Sequence, residues 1–168
     1  MRLKFYILTL ALLLALLAIG CSIVFSPSDE EEDSTVIHGR FVTIETTAYC
    51  PCGKCCDWRL DAKGTPIHTS GRSKGKPKTV GLTSSGRKAV PGTLAADLRH
   101  YPVDTVIYIP GYGYGCVEDT GGDIRGKRRL DLFFNTHKEA QKWGRQRLRC
   151  VVFPPNTPRM PKNAPPPY

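Results

Sequence analysis

The stretch CVEDTGGDIRGKRRLDLFF, residues 116–134, consists of two short alternating runs joined by a glycine-rich turn. Successive residues of a strand point to opposite faces, so Asp131 shares a face with Phe133 while the leucines beside it occupy the other. In the first run, Asp119 lies on the same side as Val117 for the same reason. A carboxylate beside an apolar wall is costly unless it is partnered or protonated. The stretch therefore predicts two strands of a small β domain and marks both aspartates as candidates for chemistry.

Alternating, β-rich runs recur on both sides of this stretch and predict a mainly β domain. One short helix is expected after Thr136, because Thr136 and Glu139 have the spacing of a capping box. It should carry Ala140 and Trp143 on one face and end near Gly144. Five or six short strands with one helix are typical of a small closed barrel, which has no free sheet edge. The predicted strands are residues 41–49, 94–98, 105–109, 116–119, 129–134 and 148–153, with turns at 83–86 and 112–115 and a long loop at 57–78.

The two ends of the chain differ in composition from its middle. Residues 1–21 have a basic start, an apolar run and a small residue before Cys21, which is the pattern of a secretory signal with a lipobox-like end and a lipidated cysteine. An uncleaved anchor and a plain cleaved signal are the alternatives, because apolar residues also follow Cys21. All three place the domain outside the cytoplasm. Residues 22–40 are predicted to be an acidic tether, residues 41–153 the domain and residues 154–168 a proline-rich disordered tail.

The charge of the domain indicates what kind of partner it meets. Residues 35–153, which are the domain with the last few residues before it, keep ten of the fifteen acidic and twenty of the twenty-four basic residues, a net charge of +10. Outside a membrane, this charge favours an anionic polymer such as cell-wall glycan peptide or teichoic acid, or the polar face of the membrane. The compartment argues against nucleic acid as a partner. A solvated basic surface without a partner is the alternative.

Six cysteines belong to the domain, and four of them lie close together in YCPCGKCC, residues 49–56. Disulfides persist outside the cytoplasm and are the favoured interpretation, although the sequence does not choose among the roughly fifteen possible pairings. A structural metal is the alternative, and its four thiolate ligands would be Cys50, Cys52, Cys55 and Cys56. The spacing lacks the two separated Cys-x-x-Cys arms of a zinc ribbon, so the leading expectation is a domain without a metal.

Short motifs follow one another in a fixed order from residue 47 to residue 144. They are TAY at 47–49, TSSG at 83–86, AAD at 95–97, YIPGYG at 108–113, EDTGG at 118–122, IRG at 124–126, LDLFF at 130–134, EA at 139–140 and WG at 143–144. In this order they resemble the 3D (three-aspartate) domain of bacterial wall proteins. That domain is also the catalytic half of the membrane-bound lytic murein transglycosylases of type A.

This resemblance implies a six-stranded double-psi β-barrel and an enzyme that acts on the glycan strands of peptidoglycan. The implied reaction cleaves the O-glycosyl bond between N-acetylmuramic acid and N-acetylglucosamine during cell-wall turnover, without a cofactor. Together with the N-terminal sequence, it implies a lipoprotein attached to the membrane through its N-terminus, at the periplasmic face of the outer membrane. The alternative is a non-catalytic peptidoglycan-binding lipoprotein that uses the same barrel and its basic surface.

The family's namesake aspartates correspond to Asp97, Asp119 and Asp131. The resemblance implies that Asp131 is the catalytic acid and base, that Asp119 raises its pKa or stabilises developing positive charge, and that Asp97 orients a partner or a substrate hydroxyl. The structural alternative is that Asp97 and Asp119 cap turns while Asp131 pairs with Arg128 or Arg129. A calcium or magnesium site is disfavoured, because the three aspartates are not in one compact ligand loop.

The remaining candidate residues are expected to contact substrate or to complete the fold. Type A enzymes have an inserted β domain that walls the substrate groove, and this chain has no length for one, so a shallow groove is expected. His137 is expected to be solvated at a helix start, and Trp143 is expected in the core. The candidate substrate contacts are Tyr112, Tyr114, Thr120 and Arg125; the two tyrosine rings would either stack on a sugar or pack within their turn.

Overall fold

The structure is a computed structural model that describes residues 39–154, 156–160 and 163–167. The predicted signal sequence, the predicted lipidation site Cys21 and almost all of the predicted acidic tether lie outside the described residues. Within the described ranges, none of the helices has the length and apolar composition that crossing a membrane requires.

Six strands form a closed barrel, which confirms the predicted fold class. The elements of the described chain are β1 (Arg40–Tyr49), α1 (Gly53–Cys56), β2 (Trp58–Leu60), β3 (Pro66–His68), β4 (Thr93–Ala95), β5 (Val106–Ile109), β6 (Gly113–Asp119), β7 (Arg129–Phe133), α2 (His137–Trp143) and β8 (Gln146–Val152). The order of strands around the barrel is β1–β7–β4–β6–β5–β8, and β8 pairs back onto β1. Two neighbouring pairs, β1 with β7 and β4 with β6, are parallel, and the other four are antiparallel.

The barrel interior is filled by the side chains that the alternating pattern assigns to one face. Ile44, Leu94, Ile107, Leu130 and Leu132 are all fully buried in one cluster. The opposite face of β7 carries Asp131 and Phe133, as the sequence predicts. Leucines fill the interior face of β7, so a carboxylate can occupy the other face without entering the core.

Helix α2 begins and ends where the sequence predicts. The hydroxyl oxygen of Thr136 accepts from the Glu139 backbone N–H at 3.2 Å, and the Glu139 carboxylate accepts from the Thr136 backbone N–H at 3.0 Å. The helix ends at Gly144, with Ala140 buried and Trp143 packed against the barrel core. The capping box fixes His137 as the first helical residue.

Two local predictions are wrong. The expected loop at 57–78 contains the antiparallel hairpin β2–β3, in which Trp58 pairs with His68. The expected turn at 112–115 is largely strand, because β6 begins at Gly113 and Tyr114 pairs with Tyr108. The cysteine segment contains the single helical turn α1.

The described part of the proline-rich segment lies against the barrel. The Arg159 guanidinium forms an ion pair with the buried Glu118 carboxylate. The Tyr114 hydroxyl donates to the Pro165 carbonyl at 3.1 Å, and Ala164 packs beside Tyr114. The disorder expected for residues 154–168 stays a prediction, and these contacts show which face of the barrel the segment covers.

Candidate active site

Two of the three candidate aspartates lie on either side of one alanine. Ala95 of β4 is paired with Asp131 of β7 on one side and with Asp119 of β6 on the other. Two strand spacings therefore separate the two backbones, about 10 Å. The ladder is irregular between Leu94 and Ala95, which shifts the register at the site. The small side chain of Ala95 leaves the space between the two carboxylates open.

The two carboxylates line a cavity of about 300 Å³. Its apolar side is formed by Tyr49, Ala95 and Phe133, and its polar side includes Thr120 and the adjoining glycines. Residues of the insertion between β1 and β4 complete the wall; they are Pro51, Cys55, Cys56, Asp57, His68, Ser70, Lys78, Gly81, Leu82 and Ala89. The hairpin segment thus supplies a wall where a shallow groove was expected.

Asp131 is half-buried, and the opposing influences on its pKa are identifiable. The Thr47 hydroxyl donates to Asp131 Oδ1 at 2.8 Å. Burial raises the pKa of Asp131 above its ordinary value, and the negative charge of Asp119 raises it further. The Thr47 hydrogen bond, the Leu132 backbone N–H and the Arg145 charge act in the opposite direction without cancelling the rise. Asp131 is therefore the carboxyl of the site that most readily holds a proton, as a general acid must.

Asp119 is surrounded by hydrogen-bond donors. The backbone N–H groups of Ser84 and Thr120 donate to Asp119 Oδ1 at 2.9 and 2.8 Å. The Tyr49 hydroxyl donates to Asp119 Oδ2 at 3.3 Å. Burial raises the pKa of Tyr49 far above its ordinary value, and the charges of Asp119 and Asp131 raise it further, so this hydroxyl stays a donor. Three donors suit an ionised carboxylate, and the two aspartates thus have different surroundings within one cavity.

Asp97 does not join the other two aspartates. Its carboxylate accepts two hydrogen bonds from the Arg99 guanidinium at 2.9 and 2.6 Å and one from the Gly126 backbone N–H at 2.8 Å. The Arg99 hydrogen bonds and the Gly126 N–H hold the pKa of Asp97 far below its ordinary value. This arrangement ties the segment after β4 to the turn before β7, which agrees with the structural interpretation of Asp97.

The four candidate substrate contacts are in different surroundings. Tyr112 and Tyr114 are only 5% and 4% exposed, and neither ring lines the cavity. The Tyr112 hydroxyl instead donates to the Phe133 carbonyl and accepts from the Gly92 N–H, both at 2.8 Å. Thr120 is exposed and lines the cavity. Arg125 is exposed on the turn before β7, where it donates to the Gly122 carbonyl at 2.9 Å.

A second hollow of about 260 Å³ adjoins the first, because Asp131 also lines it. Arg129 and Arg145 lie on its rim, where both pair with Glu45. The ion pair of Arg129 is with Glu45, whereas the structural alternative for Asp131 named Arg128 or Arg129 as its partner. A neighbouring patch is markedly basic and contains Arg125, Arg128, Arg129 and Arg147. The hollows place Asp131 between a cavity with one apolar side and a cationic surface.

Three residues of the cysteine segment form a compact group with His137, which was not among the metal ligands expected from the sequence. The thiols of Cys50, Cys52 and Cys55 and the imidazole of His137 lie with their ligand atoms within 4.8 Å of one another. Cys56 is not in the group, and its thiol donates to the Cys50 carbonyl at 3.2 Å. The six cysteines that the structure describes have free thiols. His137 was expected to be solvated, and the structure places it half-buried against sulfur atoms instead.

Thr47 and Tyr49 were given no role from the sequence, although both reach the candidate aspartates. The sequence does indicate that they share one face, because residues 47 and 49 are two apart along β1. That face is set beside Asp131 by the parallel pairing of β1 with β7, in which Thr47 is the partner of Asp131. Strand pairing between segments so far apart in the chain is not visible in the sequence.

The part of the chain that resembles known proteins lies in this closed six-stranded barrel and includes the aspartate at the end of β6 and the one within β7. Residues 92–153 match the family model of the 3D domain. Among curated relatives, YabE of Bacillus subtilis (strain 168) has a provisional name as a cell wall shaping protein. It is 26% identical to this chain over 115 residues, which are 68% of this chain. YocH of the same organism, named as a cell wall-binding protein, is 32% identical over 60 residues, 36% of this chain. The matched parts span 23% of YabE and 21% of YocH.

Solved structures with a similar chain trace include the lytic transglycosylase MltA of Escherichia coli. Two crystal structures of MltA align with TM-scores of 0.38 and 0.39, each at 20% sequence identity. Each alignment covers 47% of this chain and 29% of MltA.

Proposed function

We propose that the chain is an enzyme of the lytic transglycosylase type that cleaves peptidoglycan glycan strands, with Asp131 as acid and then base. The observation that carries this proposal is the pair of carboxylates in one cavity, of which Asp131 has a raised pKa because of burial and the charge of Asp119. The match of residues 92–153 to the 3D domain and the cell-wall names of the two relatives support peptidoglycan as the polymer.

The reaction needs one carboxyl that gives up a proton and takes one back. Protonated Asp131 donates to the glycosidic oxygen between N-acetylmuramic acid and N-acetylglucosamine, the bond to the anomeric carbon breaks, and positive charge develops on that sugar. The 6-hydroxyl of the same sugar then attacks the anomeric carbon, and the Asp131 carboxylate accepts the hydroxyl proton. A 1,6-anhydro sugar forms, and Asp131 returns to its protonated state. The attack is intramolecular, so no water molecule has to be positioned.

Asp119 has a different role because it is held by donors. With the Ser84 and Thr120 N–H groups and the Tyr49 hydroxyl around it, it supplies a fixed negative charge. That charge opposes ionisation of Asp131 before the reaction and stabilises the positively charged sugar during it. Asp97 is not part of this machinery, since its carboxylate is occupied by Arg99 and Gly126.

The surroundings of Asp131 suit a charged, peptide-bearing glycan. A sugar ring would contact the apolar side of the cavity at Tyr49 and Phe133, and Thr120 would reach its hydroxyls. The stem peptides of peptidoglycan carry carboxylates, and the basic patch at Arg125, Arg128 and Arg147 would attract them. The net charge of +10 over residues 35–153 acts in the same direction.

The test is to incubate the purified protein with sacculi and analyse the soluble products by mass spectrometry. We expect anhydro-muropeptides from the wild type. Asp131→Asn should lower their rate of formation by about 10²–10⁴-fold, the usual contribution of a general acid or base, while leaving sedimentation with sacculi unchanged.

Asp123→Asn is the matched control, because Asp123 is an exposed carboxylate on the turn between β6 and β7. It should retain the wild-type rate. An Asp131→Asn variant that still forms anhydro products at the wild-type rate would remove Asp131 from the mechanism.

A non-catalytic wall-binding protein is the second candidate. The name of YocH, a cell wall-binding protein, and the basic surface around Arg125 and Arg147 favour it. It predicts that the protein sediments with sacculi and releases no soluble product, and that replacing these two arginines by alanine weakens sedimentation. Soluble anhydro-muropeptides would decide against it.

The proposed location is outside the cytoplasm, where peptidoglycan lies. Attachment through a lipidated Cys21, at the periplasmic face of the outer membrane, stays a prediction from the N-terminal sequence. The mass of the N-terminal peptide of the mature protein, with and without Cys21→Ser, tests it.

A further inference from the structure

The group formed by Cys50, Cys52, Cys55 and His137 combines two distant parts of the chain. The three cysteines lie between the end of β1 and the end of α1, and His137 is the first residue of α2. The alignment of β1 with β7 brings the two parts together, because the segments that follow both strands leave the barrel at the same end. The group is thus a product of the fold and not of local sequence alone.

The distances within this group match those of a tetrahedral metal site. The Cys50 and Cys55 sulfurs are 3.7 Å apart. His137 Nδ1 lies 3.9 Å from the Cys50 sulfur, 3.6 Å from that of Cys52 and 3.3 Å from that of Cys55. Zinc bonds of about 2.3 Å to sulfur and about 2.0 Å to nitrogen give tetrahedral edges of about 3.8 Å between sulfurs and about 3.5 Å between sulfur and nitrogen.

We propose that Cys50, Cys52, Cys55 and His137 bind one Zn²⁺ as a closed structural site. Three sulfur ligands and one imidazole are a usual ligand set for structural zinc, and four protein ligands leave no open position for a substrate. Binding through Nδ1 places the remaining imidazole proton on Nε2. The three thiols release their protons on binding, so the occupied site carries one net negative charge.

A tetrahedral site accounts for this group better than a disulfide does. A disulfide brings two sulfurs to about 2.05 Å and leaves the third cysteine and the histidine without a role. In this group every sulfur lies within contact distance of the same imidazole nitrogen. Cys56, the fourth cysteine of the segment, is instead satisfied by the Cys50 carbonyl.

The site would also fix one wall of the candidate active-site cavity. Pro51, Cys55 and Cys56 line that cavity, and all three lie within or next to the metal-binding segment. Zinc would therefore link this wall to α2, and the link is independent of whether Asp131 is catalytic.

The first test is the metal content of the full-length chain, purified in detergent without added reductant or chelator. We expect one equivalent of zinc by mass spectrometry of the metal and by native mass of the protein. Replacement of zinc by Co²⁺ should give the intense visible bands of a tetrahedral cobalt–thiolate site.

Single substitutions then distinguish the proposed zinc ligands from Cys56, the neighbouring cysteine. Cys52→Ser and His137→Ala should lower zinc affinity by more than about 100-fold, the upper end of what the loss of an outer-shell partner costs. Cys56→Ser is the matched control and should keep one equivalent of zinc. His137→Cys should also keep zinc and shift the cobalt spectrum towards that of four thiolates, which distinguishes a lost ligand from a misfolded protein.

Three results would overturn the proposal. The isolated protein could contain a disulfide among Cys50, Cys52 and Cys55 and no zinc. Zinc could be lost in Cys56→Ser, or it could remain at full affinity in His137→Ala. None of these results depends on cleavage of sacculi, so the zinc site and the proposed enzyme can fail separately.

Discussion

Asp131 lies between one neighbour that favours its charged form and another that opposes it. The Thr47 hydroxyl donates to its Oδ1, which favours the carboxylate. Burial and the charge of Asp119 favour the protonated acid, and together they prevail. A carboxyl whose pKa is raised holds a proton more readily for donation to a leaving group and can accept one again afterwards.

Removing the charge of Asp119 should therefore change how activity depends on pH. Asp119→Asn should lower the pKa of Asp131, because it removes one of the causes that raise it. The acid must be protonated to act, so the alkaline limb of the pH profile of kcat/KM should move to lower pH. Rates of anhydro-muropeptide release, measured over a pH series for the variant and the wild type, check this.

The control for this shift is Asp123→Asn, which removes an exposed charge of the same sign from the neighbouring turn. Its pH profile should coincide with that of the wild type. An alkaline limb that stays in place in Asp119→Asn, or moves to higher pH, would contradict the role given to Asp119.

The sequence allowed the two active-site carboxylates to be identified but not their partners. The alternation along β7 is sufficient to place Asp131 with Phe133 on one face, and both line the cavity. Thr47 and His137 were missed for a common reason. Each meets its partner only through the pairing of β1 with β7, and that pairing joins segments separated by more than half of the barrel's sequence.

The first part of β6 was mistaken for a turn because its glycines serve packing as well as backbone geometry. Gly113 has φ of 96°, which explains a glycine where the strand begins. Gly115 has no such requirement. A Cβ atom at Gly115 would lie 2.7 Å from Leu94 Cγ and from Leu94 Cδ2, so this glycine is needed for the close approach of β6 and β4. The sequence alone does not distinguish the two uses of glycine.

Gly115→Ala should consequently destabilise the barrel. Leu94 is fully buried and has little room to move, so the added methyl group should cost about 1–3 kcal/mol of unfolding free energy. Urea unfolding followed by circular dichroism measures the difference. Gly122→Ala is the control, because nothing lies within 4 Å of a Cβ there and its change should be within about 0.5 kcal/mol. Equal effects of the two substitutions would argue against close packing at Gly115.

The hairpin β2–β3 escaped prediction because its strands are only three residues long. Such strands contain too few residues to show a period of two among the lysines, glycines and serines around them. The barrel strands are longer or more apolar, and their positions were predicted to within a few residues. Helix α2 was predicted at both ends, since a capping box and a terminal glycine are local signals.

At the scale of the whole molecule, the barrel buries an acidic side chain that the C-terminal segment helps to neutralise. Glu118 is 2% exposed, and its carboxylate accepts from the Thr93 hydroxyl at 2.6 Å. Arg87 and Arg159 supply positive charge from the loop before β4 and from the segment after β8. A buried carboxylate depends on such partners, and one of them comes from a segment that was predicted to be disordered.

Arg159→Ala should lower the unfolding free energy by about 1 kcal/mol, because it removes a charged hydrogen bond whose arginine is half-exposed. Thr93 and Arg87 remain, so the loss should stay modest. Thermal unfolding of the variant and the wild type measures it. Arg72→Ala removes an exposed arginine from the loop after β3 and should leave stability unchanged. If both variants unfold at the same temperature, the C-terminal contact contributes nothing.

The position of β1 has a consequence for how the chain is made. Strand β1 pairs with β7 and β8, so Arg40 cannot pair with Val152 until the end of β8 has been synthesised. A chain that emerges from a ribosome or a secretion channel with its N-terminus first cannot close the ring until its final strand has emerged. Contacts this distant in sequence make folding slow, in the range of milliseconds to seconds. The polypeptide thus keeps an open barrel for the whole of its passage, and the ring around which the candidate cavity is built closes only after release.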